Sequence, residues 1–178
     1  MIKKLAITST LLAALVGLGH FTTSASDRSN DPNVAMLDDC NPTDPGWSPT
    51  GGCGLKPKDG DVTMGEFGAL LFSQLGPGIL IGHPSWRNEP SHLVVTSRKT
   101  VRVRNRGGRG HTFTKVAEFG GGYVSPLNGA LTQAQECTPQ QTQLVPPGGD
   151  SEVTGLAPGL NRFQCCIHPW MRATIRVE

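Results

Sequence analysis

Residues 163–171 read Phe163-Gln164-Cys165-Cys166-Ile167-His168-Pro169-Trp170-Met171, which sets a thiol, an imidazole and a thioether at positions 165, 168 and 171. The β-prone segment Asn161-Arg162-Phe163-Gln164-Cys165 leads in, and the alternating Ala173-Thr174-Ile175-Arg176-Val177 leads out. Cys-x2-His-x2-Met therefore occupies a short loop between two predicted strands. Such a loop presents several side chains to one point. Thiolate, imidazole and thioether together are soft-to-borderline ligands that suit copper. Zinc is the competing metal, but a thioether is a poor zinc ligand. A lone Cys-x2-His is explained as well by a buried Cys beside a surface His. The added Met at fixed spacing and a suitable upstream His make the metal reading the stronger one.

Strand register separates the two adjacent cysteines. Side chains alternate along a strand, so Phe163 and Cys165 face one way while Gln164 and Cys166 face the other. Phe163 is expected in the core, which points Cys165 inward and Cys166 outward or toward a neighbouring segment. The same alternation puts Ala173, Ile175 and Val177 inward on the last strand. Two His, one Cys and a weak axial Met compose a trigonal copper site. The loop offers Cys165, His168 and Met171. His111 is the candidate second His, because it begins a predicted strand after the Gly-rich stretch 106–110. A binuclear copper centre would need Cys-x3-Cys-x3-His, which adjacent cysteines do not provide.

Outward from this loop, the chain reads as short strands and turns. Gly 23, Pro 14 and only 6% aromatic residues argue against a helical bundle. Val101-Arg102-Val103-Arg104-Asn105 alternates, with Val101 and Val103 on one face. His111 and Phe113 share a face of the next strand. Glu89–Val95, Glu152-Val153-Thr154 and residues 161–165 are further strands, and Ile79-Leu80-Ile81 starts an apolar run. Residues 117–150 form a long excursion with few periodic features. Residues 64–73 are expected to form a short docked helix, stopped by Gly76-Pro77-Gly78. Residues 27–62, rich in Asp, Pro and Gly, read as a loop-like extension in which Cys40 and Cys53 are placed to pair. The fold class is all-β, an antiparallel-rich sandwich.

Residues 1–25 carry the three-part pattern of a secretory signal peptide. Lys3 and Lys4 precede an apolar run from Leu5 to about Gly19, and Thr23-Ser24-Ala25-Ser26 offers cleavage after Ala25 or Ser26. The run is short for a membrane span, so no span is expected after cleavage. Lys3 and Lys4 account for the whole formal net charge of +2, so the charge does not argue for a nucleic-acid partner. The division expected is 1–25 signal peptide, 26–78 loop-rich extension and 79–178 the folded domain. Export makes the five cysteines a matter of disulfides, a free thiol or a metal ligand.

Other residues read more plainly. Arg102, Arg104, Arg106 and Arg109, with Arg98, Lys99 and Lys115, form a basic run, read either as a solvated strand face or as a docking patch for an acidic partner. His83 and His92 read as turn or surface residues and Trp86 as packing. Trp170, beside His168, is read either as shielding the metal or lying in a partner-facing apolar patch, or equally as simple packing. Gly107-Gly108-Arg109-Gly110 lacks the Lys-Ser/Thr of a phosphate loop, and no hydrolytic motif is present.

On Asn105-x5-His111-Thr112-Phe113-Thr114 and Phe163–Met171, the chain resembles the plastocyanin/azurin-type cupredoxins over residues 79–178. Its Cys-x2-His-x2-Met loop is most similar to that of amicyanin-like members. The resemblance implies a Greek-key β-sandwich with one copper at one end, held by His111, Cys165, His168 and Met171. It implies that Asn105, or the backbone at Thr112 and Phe113 after His111, steadies the ligand loop and bonds near the thiolate. It implies one-electron transfer with a redox partner protein through the exposed edge of His168. The signal peptide points to the periplasm or secretion, a monomer is expected, and one site on a short chain argues against an enzyme such as a nitrite or oxygen reductase. A carrier or store of Cu(I) is the alternative. With Cys165 as ligand and Cys40–Cys53 paired, Cys137 and Cys166 remain for a second disulfide. The doubled Cys165-Cys166 and the long 117–150 excursion depart from the family pattern.

Overall fold

The computed structural model describes residues 31–73 and 82–178. The expected signal peptide, the Gly76-Pro77-Gly78 stop and the run at 79–81 lie outside them. Ten strands are described: β1 Asn33–Leu37, β2 Arg87–Glu89, β3 His92–Val95, β4 Val101–Asn105, β5 His111–Thr112, β6 Thr114–Val116, β7 Leu144–Val145, β8 Asp150–Val153, β9 Gly159–Gln164 and β10 Arg172–Val177. They form two four-stranded sheets, ordered β2-β1-β4-β8 and β3-β10-β9-β6, and a small pair, β5-β7. β1 runs parallel to β4, and β3 parallel to β10. The remaining pairings are antiparallel. The sheets are thus mixed, and the chain crosses repeatedly from one to the other.

The core between them follows from alternation. Val101 and Val103 are fully buried on β4, while Arg102 and Arg104 face outward. Val34 from β1, Phe163 from β9 and Ile175 from β10 meet Val101 in one cluster, so residues of both sheets close over a common interior. Burying side chains of this size stabilises by about 1.5–3 kcal/mol each.

Within the segment 27–62, the described residues 31–62 depart from the loop-like expectation. Asn33–Leu37 is a central strand, paired on one side with β2 and on the other with β4. Val34 and Met36 point inward at zero exposure. The alternation is there, but it spans five residues, includes Ala and Met of modest strand preference, and is flanked by Asp and Pro, so no period stands out. The rest of the segment is held by the Cys40–Cys53 disulfide and a 3-10 turn at Pro45–Thr50.

The expected helix is α1, Met64–Leu71. Its start is a capping box: Thr63 Oγ1 accepts from Glu66 N–H at 3.1 Å, and Glu66 Oε2 accepts from Thr63 N–H at 2.9 Å. Phe67 and Leu71, four residues apart, share the buried face. Phe67 lies against Trp47 and Trp86, with ring centroids 5.4 and 4.7 Å away. Replacing Thr63 with Ala removes the cap hydroxyl and is expected to destabilise the protein by about 0.5–2 kcal/mol in urea titration. A midpoint unchanged from the native protein would show that α1 contributes nothing to global stability.

The 117–150 excursion is ordered by side chains rather than by periodicity. Asn128 Oδ1 accepts from Gly122 N–H, and Asn128 Nδ2 donates to Gly122 O. Gln164 exchanges bonds with Gly120, and Gly122 leaves no room for a Cβ against the carbonyl of Cys166. Cys166 faces this excursion and is bonded to Cys137. The outward side of the chain is therefore covered at Gln164 and Cys166, where β9 ends, while Leu160 earlier on the same face stays exposed.

Candidate metal centre

The site forms at one end of the sandwich, where β9 ends, the loop to β10 turns and β5 begins. β9 ends at Gln164 and hands Cys165 inward. The loop 165–171 is closed by Met171 N–H bonding His168 O at 2.9 Å and Cys165 N–H bonding Met171 O at 3.0 Å. Asn88 Nδ2 adds a bond to Met171 O at 3.0 Å. β5 supplies His111 through its pairing with Val145.

His111, Cys165 and His168 each offer one donor atom, and the three atoms lie within 4.8 Å of one another. Cys165 Sγ is 3.9 Å from His111 Nδ1 and 3.8 Å from His168 Nδ1. His111, Cys165 and Met171 have zero exposure, whereas His168 keeps 6%. His168 is thus the member of this group that reaches the surface. Two backbone N–H groups, of Thr112 at 3.4 Å and His168 at 3.5 Å, point at the sulfur. Thr112 Oγ1 also accepts from Cys166 N–H at 2.7 Å, tying β5 to the ligand loop.

The charge distribution follows from these contacts. Burial alone pushes the Cys165 thiol up. Hydrogen bonds and charge from His111 and His168 outweigh that and hold it well below its ordinary value. Burial opposes a charge on His111, yet bonds to Asp38 and Cys165 raise it to about 9. Burial dominates at His168 and lowers it. A thiol held low beside two histidines of unequal basicity favours binding of a soft cation.

Other expected residues fall around this group. Asn105 bonds away from the sulfur: its Nδ2 donates to Arg109 O and Val145 O, and its Oδ1 accepts from Gly107 N–H. It steadies the loop 105–110 and β7, while the backbone at Thr112 bonds the thiol. Phe113 stacks on Phe163 at 4.6 Å. Trp170 meets His168 edge to face at 5.6 Å and packs on Phe67. The Cα of Gly82 lies so close to the Trp170 indole that a Cβ there would overlap it.

The basic run is not uniformly available for docking. Arg109 is committed elsewhere: its guanidinium donates to Gly52 O, Thr50 O and Thr50 Oγ1 and lies 5.1 Å over Trp47. Arg104 pairs with Asp150 across β4 and β8. Arg102 and Arg106 have no ion-pair partner among the described residues. His83 is buried against Phe67 and Trp86, and His92 bonds Thr174 Oγ1 at the surface; neither joins the metal-competent group.

Asp38 is the member that sequence reasoning missed. Its Oδ2 lies 2.7 Å from His111 Nε2, with both side chains at zero exposure. Burial would raise its carboxyl, but the bonds from His111, Arg109 N–H and Gly108 N–H bring it below the ordinary range. The available signal was the Gly107-Gly108 pair, which allows backbone to wrap closely around an anion.

Two mixed four-stranded sheets over one core, with a buried His–Cys–His group at one end, make a cupredoxin-like β-sandwich. Among solved structures, the chain is similar to a purple cupredoxin from Nitrosopumilus maritimus at 13% identity, covering 83% of this chain and all of that one with a TM-score of 0.45. It is similar to a reduced Cu(I) amicyanin variant at 24% identity over 52% of this chain and 73% of that one, TM-score 0.36, and to a second Cu(I) variant at 22% with the same coverage and score. Likeness at these scores carries no argument about function, which rests on this chain's own side chains. No protein-family model and no curated protein matches the sequence.

Proposed function

We propose that the chain is an exported, mononuclear blue-copper protein that passes single electrons to and from a redox partner protein. The observation that carries the reading is the buried thiolate of Cys165 flanked by His111 Nδ1 and His168 Nδ1, with donor atoms within 4.8 Å of one another. The residues fit copper in kind as well as number. One thiolate, two imidazoles and the buried thioether residue Met171 on the same closed loop are the set that blue-copper centres use, with Met as the weak ligand. Copper, when bound, supplies a one-electron couple.

The protein's contribution is a dry and prearranged cage. His111 is anchored from behind, His168 is held by the 165–171 turn, and the N–H groups of Thr112 and His168 offset charge on the sulfur. Ligands so fixed move little when the charge changes, which suits electron transfer. His168 lines an apolar groove of about 670 Å³ with Trp47, Phe67, Phe72, Leu144 and Ile167. We place partner docking over this groove, with His168 as the route for the electron. The two disulfides fit an oxidising compartment, here the periplasm. Among the described residues no helix is long and apolar enough to cross a membrane.

The deciding experiment is reconstitution of the protein with Cu(II), followed by visible spectroscopy and redox cycling. An intense thiolate-to-copper band that bleaches and returns reversibly is expected. A colourless protein that binds only Cu(I) would instead make it a copper carrier.

A further inference from the structure

We infer that Asp38 is a positioning residue of the metal centre: a buried carboxylate that fixes the His111 ring and biases the site toward the more highly charged state of its metal. The inference rests on the copper reading above. Its starting point is the bonding pattern of the carboxylate. Oδ2 receives His111 Nε2 at 2.7 Å and Arg109 N–H at 2.9 Å, while Oδ1 receives Gly108 N–H at 2.9 Å and Cys40 N–H at 3.4 Å. The three backbone groups can only donate. Three N–H donors spread over both oxygens hold Asp38 in the acceptor role that suits the ionised carboxylate.

The surroundings are built to hold that anion. A Cβ on Gly107 would overlap Asp38 Oδ2, and a Cβ on Gly108 would come within 2.7 Å of both sulfurs of the Cys40–Cys53 disulfide. The glycine pair therefore lets the loop between β4 and β5 close around the carboxylate on one side while the disulfide backs it. Asn105 braces the same loop from within through Gly107 N–H and Arg109 O.

Two consequences follow for His111. With Nε2 turned to Asp38, Nδ1 is the nitrogen that would give up its proton to a metal, and it is Nδ1 that lies 3.9 Å from Cys165 Sγ. The tautomer and the ring plane are thereby set from behind, as carboxylate partners do for metal-binding histidines. The second consequence is electrostatic. A carboxylate bonded directly to the far side of the buried His111 ring would attract a divalent cation held at Nδ1 more than a monovalent one. A neutral carbonyl acceptor would orient the ring without this preference.

The test compares the native protein with Asp38→Asn, which keeps the shape and an acceptor oxygen but removes the charge. The readout is the ratio of Cu(II) to Cu(I) affinity, obtained from the reduction potential. The band should persist in the variant, while the ratio falls by tenfold or more, equivalent to a rise of at least about 59 mV for one electron. A smaller change with the band intact overturns the inference and leaves the copper reading standing. Absence of the band from the native protein overturns the copper reading instead. Should the variant fail to fold, proton NMR of the native Cu(I) protein decides: a His111 Nε2 proton protected from exchange supports the pair, and one exchanging at the solvent rate overturns it.

Discussion

Replacement of Cys165 by alanine should erase the thiolate-to-copper band and lower metal affinity by more than about 100-fold. Residues that merely orient ligands are worth about 10–100-fold, and Cys165 would be the anionic ligand itself. Its sulfur stands between the two imidazoles and receives two backbone N–H groups, so no neighbouring side chain can take its place. Cys166 is the control. It lies one residue away on the opposite face of the strand and is bonded to Cys137. The double change Cys137→Ala with Cys166→Ala should keep the band while lowering stability by about 2–4 kcal/mol, as loss of a cross-link does. Spectra and metal competition on the two variants provide the check. A band that survives Cys165→Ala but disappears with Cys166 would reverse the ligand assignment.

Phe163→Ala should be the most destabilising single change in the sandwich away from the centre. Phe163 is 2% exposed and lies face to face with Phe113 at 4.6 Å and 12° between planes. It shares its cluster with Val34 and Val101 from one sheet and Ile175 from the other. Neighbours on three strands cannot all collapse into the space it leaves, so the transfer loss is joined by a cavity term. The sum is about 3–5 kcal/mol, which lowers the thermal midpoint by roughly 6–20 °C for a chain of this size. Calorimetry of the metal-free protein is the direct measurement. A loss below about 1 kcal/mol would mean that the strand register placing Phe163 and Cys165 on the inner face is wrong.

That register is legible in the amino-acid sequence alone, for a physical reason. Alternation over Val101–Asn105 and Ala173–Val177, and the spacing of Cys165, His168 and Met171, are local patterns that need no tertiary information. The pairing of Cys137 with Cys166 agrees with the same alternation, because a residue opposite the core face must look toward another segment. Asp38 was invisible for the opposite reason. It sits 73 residues from His111, next to a second aspartate, in a polar stretch without a sustained period. Nothing local separates an acid that enters the core from one that remains in water. Arg109 misled in the same way: among other arginines it reads as surface charge, while its bonds to the carbonyls of Thr50 and Gly52 depend on a segment some 57 residues away. Asn128 and Gln164, which order the 117–150 excursion, carry no periodic signature either.

The placement of β1 between β2 and β4 also bears on the order of events as the chain folds. β1 is laid down early in the polypeptide, but its parallel partner β4 and the imidazole that Asp38 grips come some 70 residues later. The cost of closing so long a loop grows only slowly with its length, but such distant pairings slow folding. In a complete, refolding chain the β9–β10 hairpin, with Cys165 and His168, draws on residues close together in sequence. The His111 side lacks its Asp38 anchor until the first strand is in place. A metal meeting the chain before β1 is in place would find Cys165 and His168 without the carboxylate that anchors His111.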